Sequence, residues 1–219
     1  MIYKRKANPA HREDIWLKDL IDEHLTGTMT SRNKRVFYPS VISNPCDRYV
    51  WLCYYGRMVD RPLPAVLERI FQNGSYLEDR VAKWLTDLNI LVDREVSVKY
   101  DIPAISGRID FLIRHANYGV VPIELKSINT TKFDKLRKPL DDHFIQIQMY
   151  LNMGGYEKGT VFYENKNNQK IKAFLVDRDP EKWADILDRC FKIKDMLAAP
   201  EKCTGPRWCD CRQVEEGLL

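Results

Sequence analysis

No apolar run in this 219-residue chain approaches the ~20 residues that a membrane-spanning helix needs. Net charge is also scarce, +4 at neutral pH, so overall electrostatics name no partner. Internal repeats, low-complexity segments and an evident interdomain linker are missing, which argues against a repeat array or a disordered scaffold. No GxxxxGK[ST] occurs, which excludes a P-loop and with it unwinding of duplexes by ATP hydrolysis. The opening MIYKRKANPAHRED is basic but leads into no apolar segment, so no secretory signal is expected and the chain reads as intracellular, cytoplasmic.

What is present is ordinary for a globular protein. Hydrophobic residues make up 44% and charged residues 30%, enough for one medium domain with a real core. The six cysteines are less ordinary. A reducing compartment disfavours disulfides, so the grouping of Cys203, Cys209 and Cys211 points to a metal or cluster site. Cys46, Cys53 and Cys190 lie apart, and Cys190 falls within an amphipathic pattern that suits buried packing.

Periodicity predicts helices over Glu13 to Leu25, Cys46 to Tyr55 (opened by Pro45), Ala65 to Leu88, Leu140 to Met153 and Glu181 to Leu197. EVSVKY, SGRIDFLIR and GVVPIELKS read as consecutive strands, and GTVFYEN with KIKAFLV as a further hairpin. RPLP (Arg61 to Pro64) reads as a loop, and Gly74, on the apolar stripe of the third helix, as a point of close backbone approach. The order predicts an α/β fold with a central mixed sheet flanked by helices. Residues 1–37 read as a helical extension and 38–219 as one domain whose cysteine-rich tail spans 203–211.

The second strand pair carries ionisable groups in apolar surroundings. With a turn centred on Asn117, paired positions sum to 234 and Asp110 faces Glu124, while Lys126 shares the Glu124 face. Opposed carboxylates beside an ammonium are costly when partly buried, and a divalent cation between them would compensate. Hard oxygen ligands suit Mg²⁺ or Mn²⁺ better than zinc. The bland alternative is a surface hairpin in which Lys126 simply neutralises Glu124.

Asp110 followed by Glu124-Leu125-Lys126 resembles the D…(D/E)xK signature of the PD-(D/E)XK nuclease superfamily. Gln146 and Tyr150 resemble the QxxxY helix motif of its RecB-like and Cas4-like members, and GSYLE places Glu78 where many of these carry histidine and phage-type relatives carry glutamate. PSVISNPCDRYVWL resembles the opening of the same phage-type and Cas4-like domains. The resemblance runs from about Tyr38 to Cys211 and implies a restriction-endonuclease-like core. It implies a metal held by Asp110, Glu124, the Leu125 carbonyl and Glu78, with Lys126 positioning the attacking water and Gln146 and Tyr150 orienting Lys126 or the DNA. For Glu78 the alternative is a helix-surface charge paired with Arg80 or Lys83.

In Cas4-like proteins one upstream and three C-terminal cysteines bind a [4Fe–4S] cluster, which implies that role for Cys46, Cys203, Cys209 and Cys211, with structural zinc as the alternative. The local C-x5-C-x-C departs from the family's spacing, so Cys53 is a conceivable substitute for a tail ligand. Lys132, Lys135, Arg137 and Lys138, with a second basic group of Arg32, Lys34 and Arg35, are candidates for phosphate contact. No base-reading element is evident, so sequence-tolerant DNA binding is expected.

The resemblance thus implies a metal-dependent deoxyribonuclease, virus-encoded in type, acting as an exonuclease on DNA ends, alone or with a separate helicase, recombination or replication partner. The alternatives are a structure-selective or single-strand endonuclease, a Cas4-like DNA-end trimmer, and a cysteine-metal DNA-binding protein without catalysis.

Overall fold

The computed structural model describes residues 15–29, 34–58, 61–204, 209 and 211, and the chain divides into two compact units. The first comprises Met1–Thr30 and Asp60–Asn73, the second Ser31–Val59 and Gly74–Leu219.

In the first unit, helix α1 (Ile15–Leu25) is followed by β1 (Gly27–Met29), and β1 pairs antiparallel with β2 (Arg61–Leu63). RPLP therefore begins as a strand, contrary to the loop that its prolines suggested. A two-stranded ribbon consists only of edges, where a missing proline N–H breaks no inner ladder. Asp22 joins α1 to the first half of α4 (Ala65–Asp87), accepting from Lys18 at 2.9 Å and Arg69 at 2.5 Å.

The second unit opens with the short α2 (Pro39–Ile42) and α3 (Asp47–Tyr54). After the rest of α4 come β3 (Leu91–Tyr100), β4 (Ile105–His115), β5 (Gly119–Ile128), α5 (Thr130–Lys135) and α6 (Asp141–Gly154). The strands β6 (Lys158–Asn165) and β7 (Ile171–Asp177) and the helix α7 (Pro180–Asp195) complete it. The five-stranded sheet runs β3-β4-β5-β6-β7. Only β5 and β6 are parallel, because α5 and α6 form the crossover that a parallel pair requires.

Alternation along β5 explains the layering. Val121, Ile123 and Leu125 join Leu77, Val81 and Ala82 of α4 in one core, while the intervening Glu124 and Lys126 point to the opposite face. There Ile147 and Leu151 of α6 pack with Ile109, Val161 and Tyr163. A third core gathers α2, α3 and α7 around Val50, Leu52, Cys190 and Ile193.

Gly74 does not act as expected: among the described residues no atom beyond its own stretch of helix lies within 4 Å of where its Cβ would stand. The α4 stripe is also discontinuous, since Leu67 and Ile70 stay exposed while Leu77 and Val81 are buried. No helix among the described residues is long and apolar enough to cross a membrane.

Gln148 is fully buried on α6; it donates to the Asp177 carbonyl at 2.7 Å and accepts from the Asp179 N–H at 2.8 Å. Gln148→Ala strands both backbone groups and opens a cavity, so a loss of roughly 2–4 kcal/mol is expected, read as a lower urea midpoint at unchanged m. A midpoint equal to wild type would show that the clamp carries no stability.

Candidate functional site

The β4–β5 hairpin has the register that the sequence predicts, from His115↔Gly119 to Phe111↔Ile123, each pair summing to 234. The ladder ends there. Instead of a backbone pair at the next position, the Asp110 carboxylate accepts the Leu125 N–H at 2.7 Å, and β5 turns its pairing to β6. Asp110 thus takes the place of a ladder acceptor, fixed by the strand it faces.

Glu124 is buried, 3% exposed, and Lys126 Nζ stands 2.5 Å from its Oε1. Its other oxygen, Oε2, is buried with no hydrogen-bond partner among the described residues, and the same is true of Gln146 Oε1. Unpaired buried acceptors are costly, so two in one place mark a site that needs a cation or donor.

Electrostatics agree with that deficit. Burial, then the neighbouring Glu124 charge, pushes the Asp110 carboxyl up to about 7, against the Leu125 N–H and Lys126. Burial also raises Glu124, an effect that the Lys126 ammonium only partly offsets. For Lys126, burial favours the neutral amine, but the Glu124 carboxylate outweighs it and the net shift is upward. One ammonium is held charged while two carboxyls remain under-compensated.

Helix α6 brings Gln146 and Tyr150 to the same place from one face, as their spacing predicts. Both are buried, and burial raises the Tyr150 phenol, so it stays protonated; its hydroxyl meets the Arg108 backbone. Asp110, Glu124, Lys126, Gln146 and Tyr150 all line a cleft of about 400 Å³.

Glu78 stands on α4 outside that lining, half-buried, its carboxyl raised by burial and then by the charges of Asp110 and Glu95. The partners that would have made it a mere surface charge are taken: Arg80 binds Glu164 at 2.5 Å and Lys83 binds Asp87 at 2.8 Å. Glu78 does not close with Asp110 and Glu124 into a tight three-carboxylate group, however. Among the described residues the group that does close is one of thiols.

Cys46, Cys203, Cys209 and Cys211 have sulfurs all within 4.8 Å of one another. Cys46 caps α3 and its sulfur accepts the Tyr49 N–H at 3.4 Å. The tail is brought to it by contacts between α3 and α7: Arg48 donates to the Pro200 carbonyl, Trp51 to Met196 and Tyr55 to Lys194. Arg189 answers from α7 by binding Asp47 and the carbonyls of Ile42 and Asn44. Cys53 is not a member of the group. Cys190 is buried, its thiol pushed up to about 12 by desolvation.

The basic candidates are less convergent. Lys132 and Lys135 are exposed and line a separate groove of about 670 Å³; Lys138 pairs with Asp141 at 3.3 Å, and Arg137 bonds the Asp134 carbonyl at 2.9 Å. None of them lines the carboxylate cleft. Arg35 lies 4.0 Å over the Tyr55 ring, and Arg32 falls outside the described residues.

Several residues in or near the cleft escaped the sequence reading. Gly107 lets Tyr150 in, since a Cβ there would meet Tyr150 Cε1 at 2.7 Å and Pro39 Cγ at 3.0 Å. Its signal was present, a glycine inside a strand pattern. Arg108 lines the mouth and pairs at 3.2 Å with Glu95, which holds a left-handed φ of 54° within β3. His143, one turn before Gln146, sits 2.8 Å from the Tyr163 hydroxyl, and burial brings it down to about 4, leaving a neutral imidazole at neutral pH. Arg108, Glu95 and His143 carry no spacing rule, so pattern alone does not reveal them.

No protein-family model matches the chain, and no curated protein matches it significantly. Solved structures do share its fold. SSO0001 superposes with a TM-score of 0.54 at 20% identity, covering 85% of this chain and 87% of that one. An alkaline exonuclease from Laribacter hongkongensis superposes at 0.52 with 16% identity, covering 72% of this chain and 84% of that one, and its dAMP complex matches equally. At these identities the likeness is one of fold: this chain shares the α/β architecture of these structures, and it carries a four-thiol group that joins Cys46 to three cysteines of its C-terminal region.

Proposed function

We propose that the chain is a metal-dependent deoxyribonuclease of the PD-(D/E)XK type, hydrolysing phosphodiester bonds at DNA ends with little regard to sequence. One observation carries the reading. A buried carboxylate oxygen without a partner, Glu124 Oε2, lies beside the raised Asp110 carboxyl and the Lys126 ammonium, in a cleft that also holds Gln146 and Tyr150. The fold shared with an exonuclease supports it.

The donor set fits a hard divalent cation, Mg²⁺ or Mn²⁺: two carboxylates supply oxygen ligands, and among the described residues no imidazole or thiol lines the cleft. Asp110, Glu124 and the Leu125 carbonyl would hold it, with Glu78 contributing from α4. When bound, it supplies positive charge to the scissile phosphate and lowers the pKa of water. Lys126, charged and steadied by Glu124, would orient the attacking water and stabilise charge growing on the phosphate oxygens. Gln146 would accept from Lys126 or from the incoming strand, and the protonated Tyr150 would donate to the backbone. The exposed Lys132, Lys135, Arg137 and Lys138 would add loose phosphate contacts.

The purified protein is expected to shorten end-labelled linear DNA with Mg²⁺ or Mn²⁺ and to do nothing in EDTA. Glu124→Gln and Lys126→Ala should each lower the rate by at least about 100-fold while retaining DNA binding. Full activity in both variants would refute the site, and cleavage of closed circles as fast as linear DNA would refute the dependence on ends.

The raised carboxyls also predict how the metal-free protein responds to pH. Asp110 moves from 3.8 unfolded to about 7 folded, so the folded state holds the proton more tightly. Its stabilising contribution is complete below about pH 4 and is lost as pH rises through about 7. Melting temperature in EDTA should therefore fall between pH 5 and pH 8, Mg²⁺ should restore more at pH 8, and Asp110→Asn should flatten the trend. An equal response to Mg²⁺ at both pH values, unchanged in Asp110→Asn, would contradict this.

A further inference from the structure

Family resemblance implies a four-iron cluster at the cysteines, and the thiol geometry disagrees with it. In a [4Fe–4S] cube each thiolate binds a different iron and points outward from a corner, which spaces the ligand sulfurs by about 6 Å. A single tetrahedral zinc with Zn–S bonds of about 2.3 Å spaces them by about 3.8 Å. Here every sulfur lies within 4.8 Å of the other three. Cys203 and Cys211 stand 3.3 Å apart, and Cys209 and Cys211 3.4 Å. The enclosed space suits one ion, not a cube of eight atoms.

The sequence departs from the cluster-binding pattern at the same place. Cys209 and Cys211 are separated by one residue. So short a bridge holds two sulfurs at neighbouring corners of one coordination tetrahedron and strains to reach two different irons. Burial fits as well: Cys211 is fully buried, Cys46 and Cys209 are each 8% exposed, Cys203 is partly buried, and no fifth donor among the described residues belongs to the group. Four thiolates suit either metal, and it is their single-ion spacing that matches a closed structural zinc site.

We propose that Cys46, Cys203, Cys209 and Cys211 bind one structural Zn²⁺ per chain in place of an iron–sulfur cluster. The four thiols release their protons to solvent as the ion binds, and no oxidant or reductant takes part. The ion clasps the N-terminus of α3 to the tail that follows α7, adding to the direct contacts already there. The site is independent of the carboxylate cleft and of the nuclease reading.

The test is elemental analysis of the full chain, purified without oxygen from cells supplied with both iron and zinc. One zinc per chain, iron below a tenth of that, and a colourless protein are expected. Exchange with Co²⁺ should give the visible spectrum of a tetrahedral tetrathiolate, and incubation with Fe²⁺ and sulfide should give no stable brown chromophore. Cys46→Ser and Cys211→Ser should each lower zinc content or affinity at least tenfold, whereas Cys53→Ser should keep one zinc. Four irons and four sulfides per chain would overturn the proposal, and so would a protein that binds neither metal. Because metal content and spectrum are read without DNA, loss of nuclease activity does not count for or against it.

Discussion

Two acids and one ammonium share a buried cleft at the point where β4 and β5 part, and the balance among them constrains everything around it. Glu124 has Lys126 against one oxygen and, among the described residues, no hydrogen-bond partner for the other. Asp110 has a backbone N–H and little else, and its carboxyl consequently sits far above its ordinary value. Leaving charge uncompensated in a low-dielectric place costs several kcal/mol in general, so such an arrangement persists where function requires it. The surrounding protein is built to tolerate it: apolar cores cover both faces of the sheet, and α6 lies over the cleft with its own unsatisfied amide oxygen.

The scaffold delivers these groups through one topological feature. The parallel β5–β6 pair forces a crossover, and the crossover is where α6 is made. Because α6 must return across the sheet to start β6, its buried face meets the polar face of β5, so Gln146 and Tyr150 arrive above Glu124 and Lys126. Gly107 completes the fit by conceding the space that the Tyr150 ring occupies. Rigid elements therefore fix each candidate catalytic group, as a preorganised electrostatic site requires.

The thiol group is a second, separate device. Its four members come from the start of α3 and from a tail more than 150 residues later, joined by the packing of α3 on α7. The family resemblance implies a four-iron cluster there, and the sulfur spacing is what the zinc proposal rests on. A fold can keep the position of a clasp while the spacing of its ligands selects a different ion.

Much of this was legible in the chain. The hairpin register, the strands and the long helices follow from periodicities of 2 and 3.6, which are local properties of the backbone, whereas the meeting of Asp110, Glu124 and Lys126 with Gln146 and Tyr150 in one cleft was legible only through the family resemblance. RPLP and Gly74 were misread because the residue types state only what a position tolerates: β1, which pairs with RPL, lies elsewhere in the chain, and no described residue packs closely on Gly74. Arg108 with Glu95, and His143 with Tyr163, were invisible for the same reason: each becomes a site neighbour only through a register or a packing contact. The sequence by itself determined which groups exist and on which face of which element they stand. Tertiary structure alone decided how deeply they are buried, which oxygen is left without a partner and how far apart four sulfurs lie, because desolvation and distance between remote segments are set only when the elements pack.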